Sequence, residues 1–414
     1  MASAAEFVSA DRLWKRHQQL AVHGATPAGG VNRQALSAED IAARRQLIDW
    51  GRALGLRAFS DAATNLFLRA DGTSNEAAPV LTGSHLDSQP TGGKFDGVFG
   101  VLAGLEAVQA ILASGVKPRR PIEIVAWMNE EGSRFAPGMM GSRVFTGAST
   151  LESILDVRDA HGVSVRDDIA RVAAAFPALA LLPLQRTLSA YVEAHIEQGP
   201  ILEREGFQVG VVRGIQGKRT FRVCVHGEAA HAGTTCLRDR KDALLAATAM
   251  VQALSRALHD DADRVKFTVG SFEVVPNAPS VVAERVVFSI DLRHPESAVL
   301  RMLGDRIAGV CAENAGACTV DVTELTSAMS LAFPEAMRDL IRDSARQLGI
   351  RTLDIDSAAG HDARYLNDVC PSGMIFVPCR DGISHNEAES ATPDDLAAGA
   401  RVLTQTLLQL ASLD

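Results

Sequence analysis

Two apolar runs, 79–84 and 121–129, flank a helical stretch at 97–114, and this unit constrains the fold more than any other part of the chain. The first begins Pro79-Val80-Leu81; the second reads PIEIVAWMN. Between them Val98, Val101, Leu102, Leu105, Val108 and Leu112 recur at helical spacing, and Gly115 ends the pattern. A strand, a helix and a strand in that order need a crossover, so the two strands lie parallel in one sheet. In open α/β sheets, ligands sit beyond the carboxyl ends of such strands. The segment TGSHLDSQPTGGKFDGVFG, 82–100, falls there. It carries His85, Asp87 and Asp96 in a glycine-rich loop, residue types that make half of a metal site.

The remaining pattern divides the chain. At 414 residues it exceeds one comfortable core and calls for two domains, one inserted in the other. Helices are predicted at 6–20 and 37–55, the second capped by Ser37, with Glu39 and Asp40 in its first turn and Gly55 at its end. The loop HGATPAGGVNR joins them. A hairpin is predicted at 57–70, a polar helix at 149–175 and a strand at 190–198. Beyond 212 the pattern changes. Segments 218–229, 265–275 and 281–292 alternate apolar and polar residues, with helices at 240–259 and 296–315. This β-α-β-β-α-β order fits a ferredoxin-like module. After 333 helices and short strands return. The expected architecture is an α/β catalytic domain built from 1–212 and 331–414 around a parallel-centred mixed sheet, with an inserted α+β domain at 213–330.

Composition excludes several classes. A net charge of -9 opposes a nucleic-acid or anionic-membrane partner, both of which need a basic surface. No apolar run approaches the roughly 20 residues that span a bilayer. The first residues, MASAAEFVSADRLWKR, lack the charged-then-apolar order of a signal peptide. The six cysteines show no CxxC spacing and are too sparse for a disulfide scaffold, so a reducing cytoplasm is the expected home.

Divalent cations used in hydrolysis favour imidazole nitrogen and carboxylate oxygen. His85, Asp87, Asp96, Glu130, Glu131, His195, Glu197, His361 and His385 all lie at or near predicted strand ends. In extended chain Glu130 and Glu131 point to opposite sides, so one can face a cation and the other a reacting water. Small neighbours in GGKFDG suit Asp96 to a close, bridging position. Asp87 fits either a ligand or a group that orients His85, and the glutamate pair fits either a working pair or an acidic strand end.

The blocks GSHLDSQPTGGKFDGVFGVLAGLEA, NEEGSRFAPGMMGSR, EAHIEQGPILE, HAGTTCLRDRKDAL, DLRHP, AGHDA and ISHNEAE resemble the dinuclear-metal amidohydrolases of the M20 peptidase superfamily. EQGP and HAGTT point to its hydantoinase/carbamoylase branch, which includes N-carbamoyl-L-amino acid hydrolases, allantoate amidohydrolases and β-ureidopropionases. The resemblance covers nearly the whole chain. It implies two divalent cations per subunit (zinc, manganese, cobalt or nickel) held by His85, Asp96, Glu131, His195 and His385, with Asp96 shared. It implies that Asp87 orients His85 and that Glu130 is the general base. His231 would stabilise the oxyanion, reaching in from the small domain of a partner in a homodimer. Gln198, Arg293 and the backbone at Gly360 would hold a small ureido acid. The inserted domain would be both lid and dimerisation module.

Departures from the branch concern the substrate side. Cys236 follows HAGTT where proline is usual, Ser280 stands where a substrate-binding asparagine is usual, and Ala358 replaces a glycine. Asn277, three residues before Ser280, is the alternative donor, and His23 lies in the N-terminal loop expected near substrate. The expected reaction is hydrolysis of an N-carbamoyl-L-amino acid. Allantoate or β-ureidopropionate, then a peptide or acylamino acid, and last a non-catalytic binding role are the competing readings.

Overall fold

The computed structural model of the protein describes residues 3–413. The chain forms two compact units. One contains the chain up to Arg213, Phe333–Ile355 and everything from Gly360 on; the other contains Gly214–Ala332 with Asp356–Ala359.

The larger unit is built on a mixed sheet. Its strands follow the order Val209–Ile215, Ser372–Val377, Ala190–Ile196, Val80–His85, Ile122–Trp127, Leu66–Ala70, Arg57–Ser60 and Ala180–Leu181. Ser372–Val377, Ala190–Ile196, Val80–His85 and Ile122–Trp127 are mutually parallel. Antiparallel strands flank them on both sides. Every residue of these four parallel strands is buried, as expected where both faces of a sheet are covered. The crossover helix Val98–Ala113 carries apolar residues nearly all round and packs with Pro393–Ser412 in the same core as the sheet.

Local chemistry sets the helix limits. Ser37 caps Ala38–Ala53 by accepting the Asp40 N–H, and Thr392 caps Pro393–Ser412 by accepting that of Asp395. The N-terminal helix expected at 6–20 begins instead at Ala10. Ser9 caps it, after a separate turn, Ala4–Phe7, closed by a Ser3–Glu6 capping box. The single helix expected at 149–175 is two, Leu151–Leu155 and Val165–Ala175. Between them the Asp159 carboxylate accepts the N–H groups of His161 and Val163, Gly162 takes φ +82°, and Ser164 starts the second helix.

In the smaller unit the strands run Lys266–Thr268, Arg285–His294, Gly217–His226 and Thr319–Ala328, all antiparallel; Phe272–Val275 also pairs with Arg285–His294. Numbered along the chain this is the order 2-3-1-4 of a ferredoxin-like sheet. Gly217–His226 and Arg285–His294 alternate buried and more exposed residues, and the buried set meets helices Ala243–Ala257 and Ser297–Glu313. The strand expected at 265–275 breaks at 269–271, where Ser271 N–H turns to the Ser289 hydroxyl. Among the described residues no helix is long and apolar enough to cross a membrane.

Candidate metal centre

The carboxyl ends of three neighbouring parallel strands deliver the polar groups. Val80–His85 ends in His85, Ile122–Trp127 leads into Glu130 and Glu131, and Ala190–Ile196 presents His195. Asp96 enters on the loop before the crossover helix, and His385 on the loop before Pro393–Ser412.

Asp96 is the common member. Its Oδ1 lies 3.2 Å from His195 Nε2 and 3.8 Å from His85 Nε2. Its Oδ2 lies 3.3 Å from His385 Nε2, which is 3.4 Å from Glu131 Oε2. Two trios result, His85/Asp96/His195 and Asp96/Glu131/His385, each with one donor atom per residue within 4.8 Å of the others. Glu130 Oε2 stands 3.5 Å from His85 Nε2.

Hydrogen bonds aim the imidazoles. His85 Nδ1 lies 2.9 Å from the carbonyl of Asp87, and His195 Nδ1 lies 2.9 Å from that of Ile196. A carbonyl only accepts, so each Nδ1 carries a proton and each ring turns its Nε2 toward Asp96. Gly97 makes the approach possible: it has φ +66°, and a Cβ there would lie 2.3 Å from the His85 ring.

Electrostatics favour a bound cation. Burial raises Glu131 to about 8 and lifts Glu130 well above the carboxylate range, with Asp362 and Glu131 adding repulsion to Glu130. Burial lowers His85 to about 4. For His195 burial also works downward, but the hydrogen bond and charge of Asp96 outweigh it and raise the ring to about 9. The Asp96 hydrogen bond raises His385 to about 9 as well. Crowded buried carboxylates beside imidazoles whose Nε2 atoms face Asp96 fit a divalent cation in each trio, the cation taking the place of the shared protons.

Asp87 holds the His85 ring through its backbone carbonyl, and its carboxylate stands 3.8 Å from His85 Nδ1. The carboxylate oxygens accept the N–H groups of Glu130, at 3.2 Å, and Glu131, at 3.1 Å. Gln198, at φ +56°, donates from Nε2 to Asp96 Oδ2 (3.0 Å) and Ser384 Oγ (3.2 Å), while its buried Oε1 has no partner among the described residues. Glu197 is a helix cap and joins neither trio: its oxygens accept the N–H groups of Ile201 and Leu202, both at 2.8 Å. His361 is buried with its ring 4.5 Å from that of His195, and forms a further possible ligand trio with Glu193 and His195. His23 Nε2 is engaged by Gln46 Oε1 at 2.6 Å. Gly360 is exposed and faces Met139, whose Cε would lie 3.3 Å from a Cβ.

Glu389 was not singled out from the sequence. It is buried, and its Oε1 accepts the N–H groups of Phe95 (2.9 Å) and Asp96 (3.1 Å). Its position four residues beyond His385 was the available signal.

The smaller unit carries the other candidates. His231 is exposed; its Nδ1 accepts the N–H groups of Gly233 (3.0 Å) and Thr234 (3.2 Å). Asn277, at φ +56°, lines a cavity of about 370 Å³ with Arg240, Asp242 and Val281. Ser280 is exposed and its carbonyl accepts the Ala232 N–H at 3.0 Å. Arg293 is held in a two-pronged bond by Asp291, at 2.8 and 3.1 Å, and donates to the Ala358 carbonyl at 2.7 Å. Cys236 is exposed.

Residues 81–409 match peptidase family M20/M25/M40. An N-carbamoyl-L-amino acid amidohydrolase of Geobacillus stearothermophilus is 39% identical, over 98% of this chain and 99% of its own. One of Rhizobium meliloti is 38% identical, over 98% and 97%. The crystal structure of an amidase of the hydantoinase/carbamoylase family from Burkholderia multivorans, 43% identical, superposes with a TM-score of 0.92 over 98% of both chains. The chain therefore belongs to peptidase family M20/M25/M40, and within it to the hydantoinase/carbamoylase amidases.

Proposed function

We propose that this protein is a metal-dependent amidohydrolase that cleaves the ureido C–N bond of an N-carbamoyl-L-amino acid, giving the amino acid, ammonia and carbon dioxide. The observation that carries the reading is the meeting of two His/carboxylate trios on Asp96, with Glu130 beside them. Full-length similarity to N-carbamoyl-L-amino acid amidohydrolases supplies the substrate class.

In this reading His85, Asp96 and His195 hold one divalent cation, and Asp96, Glu131 and His385 a second; zinc, manganese, cobalt and nickel all suit the donors. When bound, the pair supplies Lewis acidity and acidifies the attacking water. Glu130 takes that water's proton and returns it to the leaving amine nitrogen. Burial raises its proton affinity above that of an ordinary carboxylate, which suits a group that takes up a proton and then returns it.

His231 stabilises the developing oxyanion, acting from a partner subunit in a homodimer formed through the inserted domain. With Nδ1 engaged as an acceptor, its neutral ring carries the proton on Nε2, the form an oxyanion donor needs. Arg293 takes the substrate carboxylate in place of Asp291, with Gln198, Asn277 or Ser280, and the Gly360 backbone completing the pocket. The enzyme works in the cytoplasm on small ureido acids.

The test is an activity screen of the metal-stripped and metal-reloaded protein. N-carbamoyl-L-amino acids, allantoate, β-ureidopropionate, dipeptides and N-acetyl amino acids form the panel. The reading expects turnover of N-carbamoyl-L-amino acids only after reloading. Preference for allantoate or for dipeptides would replace the substrate; chelator-resistant turnover would overturn the chemistry.

A further inference from the structure

We infer that Glu389 is a positioning residue for the metal centre: with Ser384 it sets the placement of Asp96 and ties it to the loop that carries His385. The inference rests on the reading of Asp96 as the shared ligand. A shared carboxylate must send its two oxygens in two directions, and an error of a few tenths of an ångström in either weakens a bond of about 2 Å. Asp96 lies in a glycine-rich loop, TGGKFDG, that has little stiffness of its own.

Glu389 restrains the backbone of the turn directly and the carboxylate through Ser384, beside the Gln198 amide that also donates to Asp96 Oδ2. Through Oε1 it accepts the N–H groups of Phe95 and Asp96, which fixes the backbone of the turn. Its Oε2 lies 3.1 Å from the Ser384 hydroxyl, which also lies 2.9 Å from Asp96 Oδ2. The single hydroxyl proton is thus placed between the two carboxylates, on the same Asp96 oxygen that faces His385.

Two further features fit. Glu389 is only 5% exposed, and a lone buried carboxylate is costly unless its oxygens are engaged as these are. At Gly93 a Cβ would come within 2.1 Å of the Glu389 carboxylate, so the loop passes against it at a distance only glycine allows. Neither Glu389 nor Ser384 belongs to the two trios. Groups that orient ligands in this way typically change metal affinity about 10–100-fold when removed.

The role separates the two cation positions. Ser384 engages Oδ2, the oxygen on the Glu131/His385 side, whereas Oδ1 faces His85 and His195. Ser384→Ala should therefore weaken one of two binding steps, while Glu389→Ala should weaken both.

The experiment is titration of the metal-free full-length protein with Co²⁺, following heat and the visible absorption of bound cobalt, for wild type, Glu389→Ala, Glu389→Gln and Ser384→Ala. Wild type should take up two ions. Glu389→Ala should lose affinity about 10–100-fold and show an altered cobalt spectrum. Glu389→Gln keeps the acceptor for both N–H groups and should recover most of the loss, whereas Glu389→Met, titrated beside it, fills the same space without an acceptor and should stay as weak as alanine. If Glu389→Ala fails to fold, Ser384→Ala still decides. Two-step binding and a cobalt spectrum unchanged from wild type in Ser384→Ala, or in a folded Glu389→Ala, would overturn the positioning role. Uptake of fewer than two ions by wild type would instead overturn the shared-ligand reading, and the inference with it.

Discussion

The Oδ1 atom of Asp87 accepts the backbone N–H of Glu130 at 3.2 Å, and its other oxygen accepts that of Glu131 at 3.1 Å. One carboxylate therefore holds the turn that carries the acid/base candidate and a ligand candidate, whose side chains diverge. Asp87 is buried, so nothing from solvent replaces these bonds when it is removed.

Asp87→Asn keeps one acceptor oxygen but turns an NH₂ group toward the other N–H. Turnover should fall about 10–100-fold, the usual scale for a lost orienting partner. The loss should appear in kcat more than in KM, because Asp87 touches the turn rather than the expected substrate positions. Steady-state kinetics on the metal-loaded enzyme checks this; a change in KM alone would contradict it.

Glu130→Gln should bind cations as wild type does and lose about 10²–10⁴-fold in kcat, since glutamine cannot take a proton from water. Metal content measured beside the rate separates this from loss of a ligand. Retained turnover would remove Glu130 from the mechanism.

His231 and Glu130 lie in different units of the chain. If His231 serves a partner's site, mixing inactive His231→Ala and Glu130→Ala subunits should restore measurable activity in the mixed dimers, where one site holds both native groups. No recovery in verified mixed dimers would place His231 outside a shared site.

His17 predicts an acid sensitivity. It is fully buried against Phe95 and Phe99; Nδ1–H donates to the Leu13 carbonyl, and Nε2 has no partner among the described residues. Burial lowers its pKa to about 4. Since an unfolded histidine titrates near 6.5, the unfolded chain binds a proton between these values that the folded chain refuses. Stability should therefore fall as pH drops from about 6.5 toward 4, by about 2 kcal/mol at pH 5 from this residue alone. Denaturant unfolding at pH 7 and pH 5 should show a smaller drop for His17→Leu than for wild type. An equal drop would mean the ring takes its proton in the folded state.

What the sequence revealed follows the range of the interactions. The strands at Val80–His85 and Ile122–Trp127 and the helix between them are written in local apolar periodicity and punctuated by Gly97 and Gly115. Residue type and strand-end position drew attention to His85, Asp96, Glu131, His195 and His385, which the fold brings together. Where a carboxylate is spent on backbone N–H groups, residue type misleads. Glu197 looks like a ligand and caps a helix; Asp87 meets His85 with its carbonyl, and its carboxylate goes to the N–H groups of Glu130 and Glu131. Glu389 escaped because its contacts with Phe95 and Asp96 span nearly 300 residues of chain, and no local pattern encodes them. The break at 156–164 escaped because an Asp159 turn overrides the helical propensity on either side.

The most direct measurement is anomalous diffraction from crystals grown with Mn²⁺, recorded near the manganese edge. The account predicts two peaks on opposite sides of the Asp96 carboxylate, about 3.5–4 Å apart, one among His85 and His195 and the other among Glu131 and His385. A single peak, or none within bonding distance of Asp96, would contradict it.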